Sequence, residues 1–119
     1  MSDTTKTIPV EFGFSRAEEA PISTPEPGVI RTLGAYNEKF LLVQNRLANG
    51  WVGAAHAHPH DQAVYLVSGH VRVVCAGKTV ELRGGDSFVV AGGVEHQVTA
   101  LEESVAVDLF TPCRVEFLG

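Results

Sequence analysis

From Val29 to the C-terminus the sequence is a succession of short β-rich runs, each closed by a turn former. The runs cover residues 29–33, 40–47, 63–67, 71–75, 79–82, 87–90, 97–100 and 105–110. Breaks fall at Gly69, Gly77, Gly84-Gly85 and Gly92-Gly93, and no amphipathic stretch of helical length competes with them. Even spacing of short strands with glycine between them predicts an all-β single domain, a barrel or jelly roll. The two glycine pairs mark backbone with positive φ or with close strand contacts.

At 119 residues the chain is long enough to bury one core without staples. A 45% hydrophobic and 19% charged composition is that of a folded globular protein. The net charge of −5 argues against nucleic acid or anionic membrane as a partner. Cys75 and Cys113 are too few and too far apart for a disulfide framework and read as free thiols in a reducing compartment. The opening residues lack the apolar core of a signal peptide and no run is long enough to span a bilayer, so the expectation is a cytoplasmic protein. Residues 1–28 read as an arm that packs on the barrel or on a second subunit, and residues 29–119 as the barrel itself. Within the arm, residues 8–14 alternate like an edge strand and residues 15–19 suit one helical turn. Pro21, Pro25, Pro27 and Gly28 then argue against regular structure.

Between Gly50 and Gly69 lies the segment His56-Ala57-His58-Pro59-His60-Asp61-Gln62. On extended backbone alternate side chains share a face, so His56 and His58 point the same way. Gln62 follows after a short turn and His96 lies downstream, giving three imidazoles and an amide oxygen as ligands for one ion. Pro59 interrupts the alternation, which places His60 at the rim. His70 follows a glycine turn and is expected to be exposed. Tyr65 should face outward, and Trp51 should sit in the core or at an interface.

These residues carry a resemblance. Gly50, His56-x-His58, Gln62 and Gly69 are similar to the first motif of the cupin superfamily, with Gln62 where most members carry glutamate. Gly85, Gly93 and His96 resemble its second motif, with Ala91 replacing the usual proline and Ala100 the frequent asparagine. The histidine segment and the C-terminal Asp108-Leu109-Phe110-Thr111-Pro112-Cys113-Arg114 resemble the KdgF-type small cupins of pectin and alginate breakdown. Gly28 to Arg31 and Leu33 to Asn37 are in the same style. The resemblance implies a single-domain, RmlC-like jelly-roll barrel, commonly a homodimer. It implies a metal held by His56, His58, Gln62 and His96, with Asp108, Phe110 and Arg114 around a sugar-acid substrate.

The C-terminal run also reads on its own residues. Asp108, Phe110 and Arg114 share strand parity, opposite to Val105, Val107 and Leu109. Buried charge is costly unless paired, so Asp108 and Arg114 form either a structural ion pair or an acid/base carboxylate beside an anion clamp. Four protein ligands on an octahedral ion leave two positions for substrate or water. Gln62, being neutral, leaves a divalent ion its full charge, which suits Lewis-acid work on anionic, oxygen-rich ligands. The implied reaction is ring-opening and ketonisation of a 4,5-unsaturated uronate. Asp108 and Arg114 are then catalytic, Phe110 and Arg114 hold substrate, and the cofactor is one divalent ion of nickel, zinc, manganese, iron or copper. A cupin dioxygenase and a non-enzymatic metal- or sugar-binding module are the alternatives from other classes.

Overall fold

The computed structural model describes residues 7–119; Met1 to Lys6, the start of the expected arm, lie outside them. The described residues are all-β apart from two single 3-10 turns, Ala17–Glu19 and Val115–Leu118. The strands are β1 (Ile22–Glu26), β2 (Val29–Tyr36), β3 (Leu41–Leu47), β4 (Asp61–Ser68), β5 (His70–Cys75), β6 (Lys78–Arg83), β7 (Ser87–Val90), β8 (His96–Ala100) and β9 (Ser104–Thr111). They form an antiparallel six-stranded sheet in the order β1-β2-β3-β9-β4-β7 and a three-stranded sheet, β6-β5-β8. Two such sheets, closed by their inner faces, make the expected jelly roll. No helix among the described residues is long and apolar enough to cross a membrane.

Burial follows the period of two that the sequence carries. Along β3, Leu41, Val43, Asn45 and Leu47 are buried and their neighbours exposed. Along β9, Ser104, Ala106, Asp108 and Phe110 are buried, which confirms the inward face assigned to Asp108 and Phe110. The apolar interior forms two clusters. One gathers Val29, Leu47, Val64, Leu66, Val71, Val73, Ala100 and Ala106, with Trp51 packed against it. The other gathers Leu33, Leu41, Val43, Phe110, Cys113 and Leu118. Arg31, Asn45 and Asp108 interleave with them, each flanked two residues away on its own strand by a member of either cluster. Both cysteines are free.

Three local expectations are corrected. Residues 8–14 form no strand; they follow the end of β2, held by Glu38 N–H donating to Pro9 O at 3.1 Å and Asn37 Nδ2 to Glu11 O at 3.0 Å. The proline-rich stretch instead supplies β1, at the edge of the large sheet, where Pro25 forfeits no interior ladder bond and a register shift separates Ser23 from Glu26. His70 is not exposed: its side chain is half-buried and its Nε2 lies 2.8 Å from Glu81 Oε1. Tyr65 faces outward as expected. Trp51 is half-buried and donates to Glu26 Oε1 at 2.8 Å.

Each glycine pair divides its labour. Gly85 and Gly93 have φ of +97° and +86°, whereas a Cβ would crowd the Val67–Ser68 backbone at Gly84 and strike backbone outright at Gly92. At Gly92 that backbone is the Pro59 carbonyl, its carbon 2.9 Å from the added atom. The same turn receives the His58 carbonyl through Gly93 N–H at 2.8 Å, so it fixes the position of the histidine segment. Gly92→Ala is expected to displace that segment and cost about 1–3 kcal/mol of stability, as overpacking does. Urea unfolding checks it; an unchanged midpoint would show that the turn yields freely.

Candidate metal centre

The segment carrying His56 and His58 is not a regular strand. It runs beside β8 through two isolated bridges, Val52 with Thr99 and His56 with His96. His56 and His96 exchange both backbone hydrogen bonds, at 3.0 and 2.9 Å, so their imidazoles project to one face of a shared rung. His58 reaches the same place after the next alternation. Gln62 enters from β4 beyond the bend at Pro59 and His60.

The three imidazoles His56, His58 and His96 converge, with ligating atoms all within 4.8 Å of one another. Each ring is oriented from behind. His56 Nδ1 donates to Ala54 O at 3.0 Å, His58 Nδ1 to His60 O at 2.9 Å and His96 Nδ1 to Val94 O at 3.0 Å. A carbonyl only accepts, so each Nδ1 carries the proton and each neutral ring keeps a bare lone pair on Nε2. Burial pulls the His96 pKa below its ordinary value, against the opposing pull of the Val94 carbonyl, and so favours the neutral ring. His58 and His96 are buried while His56 is open to solvent, so the cluster has one accessible side.

Gln62 joins the cluster through its oxygen. Gln62 Oε1 lies 2.9 Å from His58 Nε2, and Gln62 Nε2 donates to Asp108 Oδ1 at 3.3 Å. With His58 protonated on Nδ1, two acceptors then face one another at hydrogen-bond distance. His96 Nε2 is buried with no hydrogen-bond partner among the described residues. Lone pairs arranged in this way are satisfied by a cation, and three imidazoles with an amide oxygen fit a divalent transition metal. The backbone carbonyls behind the rings supply the outer hydrogen bonds that such ligands need.

The cluster opens into a cavity of about 280 Å³ that reaches through the barrel. Its wall carries Arg31, Asn45, Gln62, Asp108 and Arg114, the carboxylates of Glu26 and Asp86, and apolar surface from Val64, Leu66, Val71, Val98, Phe110 and Phe117. Asp108 is 8% exposed, and Asn45 Nδ2 donates to its second oxygen at 2.6 Å. Burial raises its pKa; the bonds from Asn45 and Gln62, and then the charges of Arg31 and Arg114, act in the opposite direction. Arg114 forms no ion pair with Asp108. Its Nε bonds Glu116 Oε2 at 3.2 Å, and its guanidinium lies 4.4 Å from the Phe117 ring centre and 5.1 Å from that of Phe110. Strand parity is also not what brings Arg114 to the cavity: β9 ends at Thr111, and Arg114 follows the turn at Pro112. Phe110 is almost fully buried, with His58 edge-on at 5.8 Å, and so braces that imidazole as well as lining the cavity.

His60 stays outside the imidazole cluster, half-buried and edge-on to Phe110 at 6.4 Å. Two contributors escaped the sequence reading. Asn45 is a buried amide in an otherwise apolar alternation, a pattern that could have marked it. Arg31 sits on a half-buried strand position with its guanidinium 4.0 Å from the Phe117 ring centre, and burial together with the nearby Arg114 charge lowers its pKa.

A family model for the cupin domain matches residues 45–111. The chain belongs to the cupin family. It is 33% identical over 103 residues to the pectin degradation protein KdgF of Dickeya dadantii, covering 85% of this chain and 94% of that one. Among solved structures, KdgF from Halomonas sp. superposes with a TM-score of 0.83 at 34% identity, covering 87% of this chain and 98% of the other. An RmlC-like cupin from Shewanella frigidimarina gives a TM-score of 0.84 at 32% identity over 87% and 94% of the two chains. This cupin is therefore KdgF-like along most of its length.

Because the imidazoles must be neutral to bind, metal affinity should fall as pH drops and protons compete for Nε2, with burial carrying the loss at His96 to lower pH than for an exposed imidazole. Titration with Ni²⁺ at pH 7.5 and 5.5 checks this, and His96→Ala should abolish stoichiometric binding at either pH. Undiminished binding by that variant would place the ion elsewhere.

Proposed function

We propose that this cupin is a metal-dependent enzyme that opens and ketonises a 4,5-unsaturated uronate monosaccharide. One observation carries the reading: a neutral-ligand metal centre, a buried carboxylate and two guanidiniums line a single cavity of sugar size. The likeness to KdgF proteins supports it.

A divalent ion held by His56, His58, Gln62 and His96 would supply Lewis acidity, polarising the oxygens of the sugar. The chain's own groups do the rest. The Arg114 guanidinium is held in place by Glu116 and by the faces of Phe110 and Phe117, leaving N–H donors for the substrate carboxylate. That contact orients the unsaturated carbons toward Asp108. A carboxylate has about four acceptor sites, and Asn45 and Gln62 occupy one on each oxygen, so Asp108 retains room to take a proton. Ring opening breaks the bond between the anomeric carbon and the ring oxygen. The anomeric hydroxyl loses its proton and the ring oxygen gains one, to leave an aldehyde and an enol. Asp108 then takes the enol proton and delivers one to the far carbon of the double bond, which converts the enol to the ketone. Phe110 and Phe117 present apolar surface to the sugar ring, and the enclosing barrel limits access of bulk water to the enol.

A positioned carboxylate in this role contributes about 10²–10⁴ in rate. At saturating metal, Asp108→Asn should lower kcat by that factor while the three histidines keep the ion. Loss of ring absorbance of an unsaturated galacturonate measures it. Turnover at the normal rate would remove Asp108 from the chemistry, and binding without turnover by the unaltered protein would make it a binding module.

We also propose a homodimer through the outer face of the six-stranded sheet. Leu42, Leu109, Ala63 and Val89 stand in register across β3, β9, β4 and β7, with Val89 78% exposed and Leu42 40%. Tyr65 and Val67 extend the same outward face. Val89→Glu should convert a dimer to a monomer in light scattering with the β-rich circular dichroism unchanged. A monomer before substitution overturns the dimer.

A further inference from the structure

Four polar side chains cross the large sheet in one line, one from each of the adjacent strands β2, β3, β9 and β4. Arg31 Nε donates to Asn45 Oδ1 at 3.1 Å, Asn45 Nδ2 donates to Asp108 Oδ2 at 2.6 Å, and Gln62 Nε2 donates to Asp108 Oδ1 at 3.3 Å. The sense of every bond is dictated by chemistry. A guanidinium has only donors, so Asn45 must turn its oxygen to Arg31 and its NH₂ to Asp108. Asp108 in its ionised form has only acceptors, and Gln62 then offers its own NH₂ to it. The Gln62 oxygen is then left facing the imidazoles, 2.9 Å from His58 Nε2. Reversing Asn45 sets like against like at two contacts at once, donor to Arg31 and acceptor to Asp108. Reversing Gln62 sets its oxygen against the Asp108 carboxylate and turns its NH₂ toward the imidazoles.

Resting on the reading of the imidazole cluster as a metal centre, we propose that Asn45, backed by Arg31, is a positioning residue for the metal ligand Gln62. It touches neither the ion nor the reacting carbons. Its short bond pins one oxygen of Asp108, and the other oxygen then holds the Gln62 amide with its acceptor turned toward the metal. Asn45 and Asp108 are both buried, and loss of Asn45 removes the partner of one Asp108 oxygen. Without Asn45 the carboxylate is free to rotate and the Gln62 amide loses its fixed sense.

Co²⁺ binding tests this, read by calorimetry and by the visible absorption of the bound ion, which reports its ligand set. Outer hydrogen-bond partners of metal ligands typically govern 10–100-fold in affinity. Asn45→Leu should weaken Co²⁺ binding by about that factor and alter its spectrum, and Gln62→Ala should do the same. The two together should bind no more weakly than Gln62→Ala alone, since the first substitution acts only through the second. A merely structural role for Asn45 would weaken both backgrounds equally. Full additivity, or unchanged binding by Asn45→Leu, overturns the proposal. Unchanged binding by Gln62→Ala overturns it too, while leaving the histidine site standing; an unaltered protein that takes up no Co²⁺ overturns the metal centre itself. Should Asn45→Leu not fold, Arg31→Met serves at the half-buried end of the line. Its loss of affinity must then be larger with Gln62 present than in the Gln62→Ala background, and equal losses overturn the proposal.

Discussion

Acceptor facing acceptor, inside a protein, is the arrangement on which the rest of this molecule turns. His56, His58 and His96 each spend the Nδ1 proton on a backbone carbonyl of their own segment, which leaves bare nitrogen toward a common point. Gln62 adds an oxygen to the same point. No hydrogen bond among these groups can relieve the crowding of lone pairs, and burial of His58 and His96 restricts the help that water gives. A divalent cation turns the whole arrangement from a penalty into a binding site. The proposed sugar-acid substrate suits such a site, because a cation with only neutral ligands attracts anionic oxygen ligands.

The barrel can host such a layer because its apolar interior is divided. Val29 and Leu33 flank Arg31 on β2, Val43 and Leu47 flank Asn45 on β3, and Ala106 and Phe110 flank Asp108 on β9. Each pair gives one residue to either cluster. The polar row is thereby bordered on both sides by apolar side chains, and its members bond one another along the wall of the cavity. That bonding keeps the amide and carboxylate directions fixed. It also explains why a charged residue is tolerated at the centre of β9, an interior strand of the large sheet.

Much of this was legible in the sequence because it was written in periods and spacings. The alternation along 40–47 and 105–110 gave two central strands and the inward face of Asp108 and Phe110, and the glycine pairs located the turns. His56, His58, Gln62 and His96 were recognisable as one constellation, and the structure gathers them at one place. Other features depended on partners that no local pattern shows. β1 exists because the edge of a sheet tolerates prolines that an interior strand would reject, whereas the alternating residues 8–14 found no neighbouring ladder. Arg114 looked like a continuation of β9, yet a turn at Pro112 delivers it, and Glu116 is its carboxylate partner. Asn45 carried only the faint signal of an amide at an inward position, and its meaning needed Arg31 and Asp108 from distant strands.

The pairing of His56 with His96 across one rung has a consequence for how the protein matures. Between those two residues the chain must lay down β4, β5, β6 and β7, so no early fragment of a growing polypeptide holds the complete ligand set. Contacts so far apart in sequence form late, after the loop-closure entropy has been met. Capture of an ion at this site would therefore register that the barrel has closed.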